Sequence, residues 1–188
     1  MKLKVCPHYE KNQIITLSLV SGREIGSALI DIQVQQDLAE RLRPVQHLLT
    51  GSVEDVAERM MMGQFERFKI GLGTPGMEAP SLFLPVPGLP PGSDYPGPGI
   101  VNSRIKIEQD TIRRLFDHQA AGMIELIEEQ LQRLRRRRPG ERVSYLILSG
   151  GLSASEYIKS QLRSYFMTGK GAGIPNAPGM RILLAENL

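Results

Sequence analysis

Eight of the chain's thirteen prolines fall between Gly73 and Gly99. A proline fixes its own φ, lacks the N–H that a helix or sheet ladder needs, and crowds the residue before it. That stretch therefore cannot be a helix interior or a central strand. The spacing predicts a short edge strand near Leu82–Val86 and then an exposed loop. Pro87-Gly-Leu-Pro90 also matches the spacing of a polyproline II ligand for a small recognition domain, although a plain surface loop is the commoner outcome of such spacing.

On either side of this stretch the hydrophobic periodicity is regular. Ile14 to Val20 is rich in β-branched residues and reads as a strand, and Met1 to Cys6 alternates apolar and basic residues as a short partner strand would. Gly26-Ser27 opens a helix of about 17 residues that stops before Pro44. A second helix is predicted from Ser52 to about Lys69, with Ser52 as its N-cap and Asp55 in the first turn. Arg104 to Glu108 alternates and reads as a strand. It leads into a long amphipathic helix from about Gln109 to Arg137, whose apolar face carries Ile112, Leu115, Phe116, Met123, Leu126, Ile127, Leu131 and Leu134. Pro139-Gly140 stops that helix. Val143 to Leu148 reads as a strand covered on both faces, and Met180 to Leu184 as a final buried strand. The expected class is a mixed α/β fold.

Composition removes several functions. The chain has 188 residues, 41% of them hydrophobic, and a formal charge of only +3. That is long enough for a core and too weakly charged overall for a general nucleic-acid binder. The lone cysteine, Cys6, rules out an internal disulfide and suits a reducing compartment. No apolar run reaches the roughly 20 residues of a membrane-spanning helix, and the start of the chain lacks a secretory apolar core. The expected location is the cytoplasm, with the nucleus as the alternative. His8, His47 and His118 stand far apart without metal-ligand spacing, and neither a Walker A nor a Gly-x-Ser-x-Gly sequence occurs.

Three groups of residues can carry recognition. In Tyr145-Leu-Ile-Leu-Ser-Gly-Gly-Leu-Ser-Ala-Ser-Glu-Tyr-Ile158, a strand runs through Gly150-Gly151 into a helix. Ser153 and Glu156 there have capping-box spacing, and Ile158, Leu162 and Phe166 share one face. Glycines let a ligand approach the main chain, and free N–H groups follow them. In Phe65-Glu-Arg-Phe-Lys69, Glu66 and Lys69 share a helical face, so one carboxylate and one ammonium can address the hydroxyls of one ligand. Arg133 and Arg135 to Arg138 form the densest charge in the chain. A solvated helix end is the simplest account of them. Phosphate-backbone binding is the alternative, and the lack of an evident stacking aromatic weighs against RNA.

In order and spacing these pieces resemble the second lobe of the actin-like ATPase fold, from about Gly22 to Leu184. The nearest likeness is to the heat-shock seventy-kilodalton chaperone family, in its divergent fungal branch. Phe65-Glu-Arg-Phe-Lys69 running into Gly71-Leu-Gly-Thr-Pro75 resembles the family's ribose-contacting helix. Ser149-Gly-Gly-Leu-Ser-Ala-Ser155 resembles its second adenosine-binding loop. The resemblance implies a mixed sheet with flanking helices, one lobe over 1–188, with 22–108 as a subdomain carrying the Pro-rich loop 73–103 and 109–188 as the remainder.

It further implies that Glu66 and Lys69 hold a ribose, that Gly73 lies by the adenine, and that Gly150, Gly151 and Ser153 line the floor beneath the nucleotide. Gly73 stands where the family usually has a serine, Ile70 where it has a base-stacking arginine, and Leu152 replaces a polar position. The Asp-x-Gly-Thr and Asp-Gly-Gly-Gly-Thr phosphate loops of the family have no counterpart in this sequence, nor does its first lobe or its peptide-binding domain. The expectation is a truncated or degenerate relative that binds ATP or ADP weakly, does without magnesium, and does not hydrolyse. A protein partner is the alternative to a nucleotide, nucleic acid is the less favoured one, and no membrane partner is implied.

Overall fold

The structure is a computed structural model and describes residues 24–76 and 79–184. The predicted strands Met1–Cys6 and Ile14–Val20, with Cys6 and His8, lie outside the described residues. The chain divides into two compact units, with boundaries between Gly26 and Ser27 and between Phe116 and Asp117. The described residues are mixed α/β, as the periodicity implies. Among the described residues the strands fall into a three-stranded antiparallel sheet and a two-stranded parallel one rather than one mixed sheet.

The first unit, Ser27–Phe116, begins with α1 (Ser27–Leu42), followed by a 3₁₀ turn over Arg43–Leu48. Pro44 at the start of that turn ends the α-helical ladder. α2 (Val53–Met61) is capped by Ser52, whose hydroxyl oxygen accepts from the Asp55 N–H at 3.1 Å. The predicted second helix is in fact two. It breaks at Met62-Gly63, where Gly63 takes φ 78°, and α3 (Gln64–Gly71) starts afresh. A side chain rarely tolerates that backbone conformation; glycine does, and one residue re-aims the helix.

Next come β1 (Ser81–Pro85), β2 (Ile100–Val101) and β3 (Arg104–Glu108), in the order β1-β3-β2. β1 is the predicted edge strand, which is where Pro85 can be tolerated. β2 is too short to be read from the sequence. It turns into β3 through Asn102 and Ser103, with φ 50° and 56°, the paired positive values of a tight hairpin turn. Alternation places Leu84, Ile105 and Ile107 inward with Ile100, and leaves Phe83, Val101, Arg104 and Lys106 outward. The inward face meets a core of Ile30, Val34, Leu38, Val56, Met60 and Phe65.

The Pro-rich segment is not a free ligand. Val86, Leu89 and Pro98 are buried. Ser93 and Ser103 hydroxyls both donate to the Pro90 carbonyl, at 2.7 and 2.5 Å, and the Asn102 N–H donates to Asp94 at 2.7 Å. Arg41 of α1 donates to the carbonyls of Pro98 and Lys106, at 3.4 and 3.2 Å, tying the end of this loop to β3.

The second unit contains α4 from Asp117 onward, the helix as a whole running Gln109–Arg137. It also contains β4 (Tyr145–Leu148), α5 (Glu156–Arg163) and β5 (Arg181–Leu184). β4 and β5 pair in parallel, Tyr145 opposite Arg181 and Leu148 opposite Leu184. β4 is not covered on both faces: Leu146 and Leu148 are buried while Tyr145 is exposed. α5 turns Ile158 and Leu162 into the core, with Phe166 beyond its end, against Met123, Leu126, Ile127 and Leu131 of α4 as the other apolar wall of the same unit.

Polar bonds fix this arrangement. The Tyr157 hydroxyl donates to Asp117 and the Tyr165 hydroxyl to Glu128, each at 2.6 Å. Buried Asn176 donates to the Leu131 carbonyl at 2.9 Å, while its own carbonyl accepts from the Val143 N–H at 2.7 Å. One residue thereby holds α4 and the approach to β4 together.

Two outcomes follow from these bonds. Arg41→Ala removes both the bond to the loop at Pro98 and the bond to β3 at Lys106, and should cost about 1–2 kcal/mol. Limited proteolysis should then cleave between residues 90 and 99 faster than in the parent. The hydrogen bond to Glu128, then burial, then the Glu128 charge raise the Tyr165 pKa above its ordinary value of 10.0. Its folded pKa therefore exceeds the unfolded one, so its contribution is complete below about pH 10 and is lost as pH climbs through the raised value. Thermal unfolding from pH 8 to 11 should show that loss, and Tyr165→Phe should flatten it.

Candidate functional site

The six residues singled out from the sequence fall into two sets, one in each unit. Glu66, Lys69 and Gly73 belong to α3 and its exit. Glu66 is exposed, and its side chain makes no hydrogen bond or ion pair among the described residues. Lys69 has turned away from solvent. Its ammonium lies 2.5 Å from the Asp31 carboxylate of α1 and 5.8 Å from the centre of the Phe65 ring. The side chain is only 15% exposed, so the pair fastens α3 to α1 rather than leaving a free donor beside Glu66. Gly73 is half-buried past the helix end, with φ 78°. Spacing along one helix could not reveal Asp31, which is 38 residues away in sequence.

The second set is built differently. Strand β4 ends at Leu148, and the chain then passes Ser149, Gly150 and Gly151, all exposed. Gly150 takes φ 94° and ψ 175°, a region essentially reserved for glycine. A Cβ there would meet nothing within 4 Å, so the constraint is the backbone turn rather than crowding, and the turn stands open above. Gly151 to Ala154 form one 3₁₀ turn before α5 begins.

Ser153 does not cap α5. Its hydroxyl donates back to the Gly150 carbonyl at 2.6 Å, and its N–H binds the same carbonyl at 2.9 Å. Ser153 is buried and its role is to close the loop. The cap is Ser155, whose oxygen accepts from the Ile158 N–H at 3.4 Å. The capping-box spacing misleads because the 3₁₀ turn moves the helix start by two residues. Glu156, in the first turn of α5, pairs with Lys159.

This geometry has definite chemistry. In a parallel strand–helix–strand unit, ligands sit beyond the carboxyl ends of the strands. The Gly150-Gly151 turn is at that end of β4, exposed and free of side chains. The Gly150 carbonyl is taken up by Ser153, and backbone N–H groups of the turn can donate to hydroxyls and ring nitrogens. The capping of the Ile158 N–H by Ser155 disfavours a phosphate group at the helix start. The loop thus suits a neutral polar ligand better than an anionic one.

Among the described residues no cluster of three or more His, Cys, Asp or Glu is placed to hold a metal ion. No helix among them is long and apolar enough to cross a membrane. Comparisons with protein-family models, with curated proteins and with solved structures find no match.

Ser155→Ala removes the cap and should destabilise the chain by about 1 kcal/mol. Ser153→Ala should cost a similar amount or more, since it leaves a closed turn without its hydroxyl bond. Chemical denaturation of the two variants beside the parent measures both.

Proposed function

We propose that this chain recognises the adenosine side of an adenine nucleotide, weakly, through the Gly150-Gly151 loop, and does not hydrolyse ATP. The observation that supports this reading is the open glycine turn at the carboxyl end of β4, in a parallel pair with β5. Its backbone-only surface fits a base and sugar, and Ser155 already occupies an N–H at the helix start that a phosphate would need. The likeness of this loop and of the Glu66/Lys69 helix to the seventy-kilodalton heat-shock chaperones points the same way. Phosphoryl transfer depends on charges positioned around the phosphates, and the sequence has neither of that family's phosphate loops.

A second reading, a protein-interaction module, draws on the outer face of the three-stranded sheet. Phe83 and Val101 are both large, apolar and exposed there. Exposed apolar pairs of this kind mark contact surfaces when they join into a patch.

Titration calorimetry with adenosine, ADP and ATP separates the two. The nucleotide reading predicts saturable binding at millimolar ligand, adenosine at least as tight as ATP. Gly151→Val should weaken it at least tenfold, and phosphate release from ATP should stay at background. No heat at millimolar ligand would leave the interaction module as the better account.

A further inference from the structure

The arginines at the end of α4 exceed anything the helix needs. Residues 132–145 hold six arginines and one glutamate, a net charge of +5 against +3 for the whole chain. A helix C-terminus carries roughly half a negative charge, which one or two cations would complement. Arg133, Arg135, Arg136, Arg137, Arg138 and Arg142 are all exposed, and none of their side chains makes an ion pair or hydrogen bond among the described residues. Arg135 to Arg138 are consecutive, and the Arg138 N–H still bonds the Leu134 carbonyl at 2.7 Å. At 3.6 residues per turn, four consecutive side chains point all round the axis. The charge is thus a knob, not a stripe facing one flat partner.

The fold sets an aromatic stack at the same end of this unit. Asn176 joins Leu131, one turn before the arginines, to Val143, and Ser144 accepts from the Arg181 N–H at 2.9 Å. These bonds put the starts of β4 and β5 beside the helix end. There Tyr145 is exposed, with the exposed Arg181 guanidinium 4.7 Å from its ring centre and hydrogen-bonded to its hydroxyl. Read from the sequence, Tyr145 is a buried strand residue; the structure turns it outward.

We propose that this end of the unit binds single-stranded nucleic acid, the arginines contacting successive phosphates and the Tyr145–Arg181 stack receiving an unpaired base. Phosphate contact supplies affinity without sequence preference, and flat aromatic and guanidinium surfaces accept any base. An anionic membrane fits less well. A surface-binding segment needs apolar side chains beside its cations, and among residues 132–142 the only large apolar one, Leu134, is buried.

Fluorescence anisotropy with a labelled oligodeoxythymidine, at several salt concentrations, tests this on the whole chain. About five phosphate contacts should give a slope of log affinity against log salt near −3.5. That corresponds to roughly a hundredfold loss between 50 and 200 mM salt. Replacing Arg135, Arg136, Arg137 and Arg138 together by alanine should bring the slope to about −1. Tyr145→Ala should weaken binding roughly 5- to 100-fold and leave the slope unchanged, while Tyr145→Phe keeps it near the parent value. Circular dichroism confirms that each variant is folded. No binding at 50 mM salt would overturn the proposal, as would indifference to Tyr145→Ala. Equally tight binding to phosphatidylserine vesicles would overturn it in favour of a lipid surface.

Discussion

The apolar stripe of α4 is the constraint on which most of this chain depends. One helix contributes Ile112 and Phe116 to the core of one unit, and Met123, Leu126, Ile127, Leu131 and Leu134 to that of the other. In a folded chain most of a helix's stability comes from packing of its apolar face, so burial of the stripe holds it. Each such side chain, fully buried, contributes about 1.5–3 kcal/mol. The polar anchors are arranged around that burial. Asn176, Tyr157 and Tyr165 all bond to groups on α4, and they decide where β4 and α5 come to lie.

The position of the glycine loop follows from the same packing. α5 presses Ile158 and Leu162 into the core, so its start is fixed, and β4 is fixed by Leu146 and Leu148. The turn between them must cover a set distance, and Gly150 supplies the backbone angles that allow it. Ser153 then locks the turn from within, leaving its outer surface without side chains. An open, rigid, neutral surface is therefore a consequence of how strand and helix are held.

Much of the secondary structure is legible in the residues, for identifiable reasons. α1, β3 and α4 have strong periodicity and clear stops, and Ser52 caps the helix that its spacing predicts. Other features are decided by geometry that spacing does not encode. The helical pattern from Ser52 to Lys69 runs through Gly63 without interruption, and only the backbone turn there shows two helices. β2 is two residues inside a Pro/Gly-rich run and needs its partner β3 to exist. Ser153 and Ser155 compete for one cap, and the 3₁₀ turn gives it to the second. Among the candidate site residues, the openness of Gly150 and Gly151 could be read from the sequence. The engagement of Lys69 by Asp31 and the outward turn of Tyr145 could not, because both depend on how distant elements pack.

The central claim is that ligand recognition resides in the backbone of the Gly150–Ser153 turn. Amide chemical shifts recorded during an adenosine titration test it most directly. The account predicts saturable shifts at Gly150, Gly151, Leu152 and Ser153, with the N–H groups of β1 and β3 unmoved. Unchanged amides at that turn, with the ligand at saturating millimolar concentration, would contradict it.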